Sequence, residues 1–131
     1  MLKFILFLSI ILSYNFAYSQ SDSLSKLIIG KWKMVKVLEL SKDVTERHNP
    51  DNNRWINFKE DSTFESGAGE KSENTGRWTI IEKEKELFLD SDAGEEDDSY
   101  WEVKFDDSKM YWKGKHFEFN KRFEIMHERM E

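Results

Sequence analysis

The chain has 131 residues, with 26 Asp and Glu against 20 Lys and Arg, a formal charge of −6, and no cysteine. An acidic balance of this kind repels phosphate backbones and anionic lipid surfaces, which argues against general nucleic-acid binding and adsorption to such membranes. The missing thiol excludes disulfides, a cysteine nucleophile and a lipid-modified cysteine, and the length suffices for one domain with one modest core.

Met1-Leu2-Lys3 is a positive start, Phe4 to Leu12 is an apolar run broken only by Ser9, and Ala17 and Ser19 are small residues where a signal peptidase reads. This pattern predicts a secretory signal over 1–19, cut before Gln20. A spanning helix needs about 20 apolar residues, and Ser13, Tyr14 and Asn15 interrupt the run too early, so no stable membrane anchor is expected. Lys3 is the one charged residue of the leader, leaving 19 basic and 26 acidic side chains on residues 20–131. The expected product is one exported domain, periplasmic or secreted.

Trp, Phe, Tyr, Ile and Val in short segments, with a single proline, predict a meander of short strands. Ser21 to Ile28 reads as a brief helical turn. Strands are expected near Gly30–Leu40, Arg54–Lys59, Thr63–Ala68, Gly76–Ile81, Glu86–Asp90, Tyr100–Phe105, Lys109–Lys113 and Phe117–His127. Ser41 to Asn53, ending in Asn49-Pro50-Asp51-Asn52-Asn53, is the one long loop and the expected surface for any protein partner.

Trp32, Trp55, Trp78 and Trp101 recur every 23 residues, about the length of a two-strand unit with its turns. Turns at Lys83-Glu84 and Asp107-Ser108 would set Ile80 opposite Leu87, Trp78 opposite Leu89, Phe105 opposite Met110 and Val103 opposite Trp112. A three-residue loop, Glu60-Asp61-Ser62, would pair Phe58 with Phe64 and turn Trp55 outward. Closing eight such strands removes the unpaired edges of an open sheet, so the expected fold is all-β, an eight-stranded antiparallel up-and-down barrel. Its interior would hold packed side chains or one small ligand.

Gly30-Lys31-Trp32 resembles the Gly-x-Trp opening of lipocalins. Phe58-Lys59-Glu60-Asp61-Ser62-Thr63-Phe64, Thr75-Gly76-Arg77-Trp78 and Leu87-Phe88-Leu89 are similar, in that order, to the short lipocalin-like domains exported by Bacteroidetes. The resemblance implies that Trp32 packs at the closed barrel end against a late-strand arginine, Arg129 or Arg122, with Gly30 beside it. The Thr-Asp-Tyr second motif is missing, and the sequence stops straight after the last expected strand, where lipocalins carry a flanking helix. A smaller or more open barrel is the expectation.

On the first strand, period two puts Lys36 in the row of Trp32, Met34, Leu38 and Leu40. On the last it puts Lys121 among Phe117, Phe119, Phe123, Ile125 and His127, and Arg54 begins the row of Ile56 and Phe58. Cations on apolar walls suit an anionic headgroup with an apolar body, because they are costly there without a partner; the alternative is that they snorkel to the rim. The expected ligand-binding set is therefore Lys36, Trp78, Trp101, Lys121 and Phe123.

Asp90 to Asp98 is rich in carboxylates, but its glycine falls where a helix-loop-helix calcium loop expects a ligand, and a solvated loop is the simpler reading. No Gly-x-Ser-x-Gly elbow occurs, and His48, His116 and His127 lack metal-ligand spacing. The reading is of a non-enzyme without a cofactor that binds a small apolar or amphipathic molecule. The alternative is a ligand-free packed barrel serving as an interaction or envelope structural module.

Overall fold

Alternating apolar positions bounded by tight turns produce the strand ladder first. The computed structural model describes residues 23–130, and the expected leader over 1–19 lies outside the described residues. A helical turn α1 (Leu24–Leu27) leads into β1 (Gly30–Glu39), followed by the two-residue β2 (Lys42–Asp43) and a second turn α2 (Thr45–His48). Then come β3 (Arg54–Phe58), β4 (Thr63–Ala68), β5 (Lys71–Ile81), β6 (Glu86–Ser91), β7 (Ser99–Asp106), β8 (Lys109–Lys115) and β9 (Phe123–Arg129). From β3 to β9 each strand pairs antiparallel with the next, and β1 pairs with both β3 and β9, so eight strands close a barrel with β2 appended at its margin.

The expected hairpin registers are present. Trp78 faces Leu89 and Ile80 faces Leu87, Val103 faces Trp112 and Phe105 faces Met110, and Phe58 faces Phe64. Their inward side chains form one core with Trp32, Val37, Ile56 and Trp101. Outward positions carry Glu65, Arg77, Lys104 and Glu124, unlike the apolar outer band that a lipid-facing barrel needs. Trp55 turns outward as expected yet is buried, because Lys31 lies 4.3 Å over its ring and its indole N–H donates to the Gly69 carbonyl.

One end is plugged. The Trp32 side chain is 0% exposed and its Nε1–H donates to the Ile28 carbonyl at 2.8 Å. The Arg129 guanidinium lies 4.1 Å over the Trp32 ring and donates to the carbonyls of Leu27 and Ile29. Of the two arginines suggested by the resemblance, Arg129 holds this position, while Arg122 pairs with Glu39 at the opposite end. Gly30 sits at φ +121°, where a side chain is strained, and a Cβ there would come within 2.8 Å of Arg129. The backbone N–H groups of Leu24 and Ser25 donate to Glu82, tying α1 to the β5–β6 hairpin.

Two strand expectations need correction. A β-bulge between Met34 and Lys36 shifts the register of β1 against β9. An extra residue inverts every later side chain, so Val37 enters the core while Lys36 points out and is exposed. The bulge coincides with the divergence of β1 from β3, whose pairing stops at Lys33 and Trp55. The Ser41–Asn53 segment fills that gap: Val44 N–H donates to the Val37 carbonyl, Asn49 Nδ2 donates to Met34 O, and Asn49 Oδ1 accepts from the N–H groups of Asn53 and Arg54. The expected loop is thus a built part of the wall.

The second correction concerns the last strand, which begins at Phe123 rather than Phe117. Residues 116–122 turn across the barrel end, with His116 at φ +66° and a 3-10 turn over Asn120–Arg122. Lys121 therefore lies on an exposed turn, paired with Glu118 at 3.4 Å, and not in an inward row. Gly114 permits this course, since a Cβ there would stand 1.7 Å from the Asn120 carbonyl oxygen. Gly114→Ala is expected to displace the 116–122 turn and cost about 1–3 kcal/mol, the usual penalty of overpacking. Amide exchange should locate the damage there, with the β5–β6 amides unchanged.

Candidate functional site: a cavity at the open barrel end

The size of the inward residues determines where the interior is empty. Toward the plugged end they are large: Trp32, Phe58, Phe105, Met110. Toward the other end the inward positions of β4, β5, β6 and β7 become Ser66, Asn74, Ser91 and Ser99, and a cavity of about 260 Å³ remains among them. Its apolar wall is Met34, Ile56, Phe64 and Leu89; Arg54 and Asp97 stand at the mouth, and Trp112 and His127 form the deep part. Since a water occupies about 30 Å³ in the liquid, this space exceeds a packing defect and approaches the lower size of small-molecule pockets, about 300 Å³.

The deep part is unusual chemically. His127 is 2% exposed and packs against Trp112 with ring centroids 4.3 Å apart. Burial pushes its pKa down to about 3, and a hydrogen bond with the Met110 backbone only partly opposes this. The imidazole is neutral at ordinary pH. Neither His127 Nδ1 nor Trp112 Nε1 has a hydrogen-bond partner, although both atoms are buried.

The mouth is built by loops that knit to one another. Glu39 takes Arg47 from α2 and Arg122 from the 116–122 turn, each at 2.6 Å. Desolvation pushes the Glu39 carboxyl up, but these two guanidinium groups outweigh it and hold it below the usual range. Arg54 shares its guanidinium with Glu73 at 3.3 Å. The acidic loop is ordered by its own carboxylates: Asp98 accepts from Ser91 N–H and Asp92 from the Thr75 hydroxyl.

None of the five residues expected to bind ligand lies on the cavity wall. Lys36 and Lys121 face solvent for the reasons given above. Trp78 meets Phe58 edge-on and donates to the Lys59 carbonyl. Trp101 stacks on Trp112 and donates to Ser99 Oγ, and Phe123 packs between His48 and Phe119. All three aromatics support the core. Of the cations read as inward, Arg54 alone stands at the cavity. The residues that sequence reasoning missed as site residues are Ser66, Ser91, Ser99, Trp112 and His127. The signal for the three serines was the shift from large apolar to small polar side chains along the inward rows of β4, β6 and β7; Trp112 and His127 carried no such mark.

No family model and no curated protein matches the chain. Among solved structures, the chain is similar to a DUF4847 family protein from Bacteroides vulgatus, at 14% identity and a TM-score of 0.57, over 79% of this chain and 96% of that one. At that identity the likeness shows a common barrel fold.

Proposed function

We propose that this chain is an exported lipocalin-like binding protein, periplasmic or secreted, that holds one small amphipathic molecule inside its barrel and acts without catalysing a reaction. The observation that carries the reading is the 260 Å³ cavity, with an apolar wall and a polar mouth. A barrel built only to pack would place bulky residues at the open-end inward positions, as it does at the plugged end. Arg54 at the rim favours a ligand whose outer end is polar or anionic, since a guanidinium bonded to one carboxylate keeps further N–H donors.

Native mass spectrometry of the mature protein, followed by solvent extraction, tests the proposal together with NMR titrations of hexanoate and cyclohexanol. A bound species is expected, or saturable shifts at Ile56, Phe64 and Leu89, and Ser66→Phe should abolish either by filling the space. Protein that carries nothing and responds to neither probe would instead support the ligand-free interaction or structural module.

A further inference from the structure

The cavity mouth carries charges of both signs that do not neutralise each other. The Arg54 guanidinium reaches across β4 to Glu73 on β5 at 3.3 Å, and one carboxylate occupies only part of its set of N–H donors. Asp97 lines the same mouth from the turn that follows β6. That turn is pinned to the end of β6, where the Asp98 carboxylate accepts the Ser91 N–H, and β6 is the neighbour of β5 in the sheet, about 5 Å away. The guanidinium and the Asp97 carboxylate are thus held over neighbouring strands of one rim. Asp97 is exposed and takes part in none of the ion pairs among the described residues. With Glu73 set against Arg54, Asp97 leaves these three rim groups with a negative charge in excess. A ligand end that is only a carboxylate gains Arg54 but meets two like charges, and one that is only an ammonium gains Asp97 but leaves the spare donors of Arg54 unused.

We propose that the outer end of the ligand is a zwitterion, its carboxylate held by Arg54 and its ammonium by Asp97, which makes the bound molecule a free α-amino acid with an apolar side chain. The proposal rests on the lumen-binding reading and names its ligand class. In an α-amino acid both charges and the side chain branch from one carbon, so the charges meet the rim while the side chain enters between Met34, Ile56, Phe64 and Leu89. Two serines on the same wall are set to donate: Ser91 Oγ accepts the Ala93 N–H and Ser99 Oγ accepts the Trp101 Nε1–H, and each keeps its hydroxyl hydrogen for the ligand carboxylate.

Three probes of one shape decide the matter by NMR titration of the mature protein: leucine, 4-methylpentanoate, which lacks its ammonium, and 3-methylbutylamine, which lacks its carboxylate. Leucine should bind about tenfold more tightly than either, the scale of one hydrogen bond between charged groups at a partly exposed site. Asp97→Asn, on an exposed turn outside the core, should remove the lead of leucine over 4-methylpentanoate and keep its lead over 3-methylbutylamine. Arg54→Met should do the reverse. 6-Aminohexanoate, whose charges stand at opposite ends of the chain, should bind no better than 4-methylpentanoate. If 4-methylpentanoate matches leucine, or Asp97→Asn leaves their ratio unchanged, the zwitterion site is overturned while the lumen-binding reading stands. The same holds if leucine fails to bind and hexanoate or cyclohexanol succeeds. If no probe enters the wild-type barrel, both fall.

Discussion

Trp32→Ala is expected to destabilise the barrel by about 3–5 kcal/mol, the range for truncating a fully buried large aromatic. The effect should stand at the top of that range because the substitution removes three things together. It opens a void at the plugged end, leaves the Ile28 carbonyl without its indole donor, and takes away the ring beneath the Arg129 guanidinium. Native proteins carry only about 5–15 kcal/mol of stability, so a large share of the folded population is at stake. Urea unfolding of Trp32→Ala, Trp32→Phe and Arg129→Met separates the contributions: Trp32→Phe should recover much of the packing, and Arg129→Met should cost less than Trp32→Ala. If Trp32→Ala costs under about 1 kcal/mol, the plug is not a stabilising element.

Acid should weaken the fold well above the carboxylate range, because of His127. The pKa of His127 is about 3 in the folded chain, against 6.5 for the free side chain. Between those values the unfolded chain binds a proton that the folded chain refuses, so stability falls as pH falls, by about 1.4 kcal/mol per unit. The contribution is complete above pH 6.5, and about 2–3 kcal/mol of it is lost by pH 4.5. Asp43 and Asp61, hydrogen-bonded by the hydroxyls of Thr45 and Thr63, and Glu102, hydrogen-bonded by Lys115, are held below the usual carboxylate range. Their favourable contributions begin to disappear only at lower pH. Denaturant midpoints measured from pH 7 to pH 4.5 should therefore drop in the wild type and stay nearly level in His127→Leu. Parallel curves for the two proteins would show that His127 accepts its proton without unfolding.

Much of the barrel was legible in the sequence because short-range rules govern it. Alternation with period two and short turns, four residues between β5 and β6 and two between β7 and β8, bring Trp78 to Leu89 and Val103 to Trp112, and no distant contact is needed to set those registers. The plug of Gly30, Trp32 and a late-strand arginine was legible through the resemblance to the Gly-x-Trp opening, which left Arg129 and Arg122 as alternatives until the structure set Arg129 on the Trp32 ring and Arg122 on Glu39.

The candidate site was legible only in part. Arg54 was read correctly as starting an inward row, though not as a site residue, but Lys36 could not be placed correctly, because the bulge that turns it outward arises where β1 must leave β3 for β9. That is a demand of closure, invisible to local alternation. Lys121 failed for a related reason: Gly114 lets the chain fold across the barrel end, and nothing in the apolar spacing of residues 117–123 distinguishes that turn from a strand. By itself the sequence determined which residues pair within the β5–β6 and β7–β8 hairpins, since neighbours along the chain decide that. Only the tertiary structure decided that the inward-facing His127 is fully enclosed and neutral, that the Trp112 indole N–H is left without a hydrogen-bond partner, and that a cavity survives beside them. Those properties depend on the summed volume and dielectric of residues brought together from every strand.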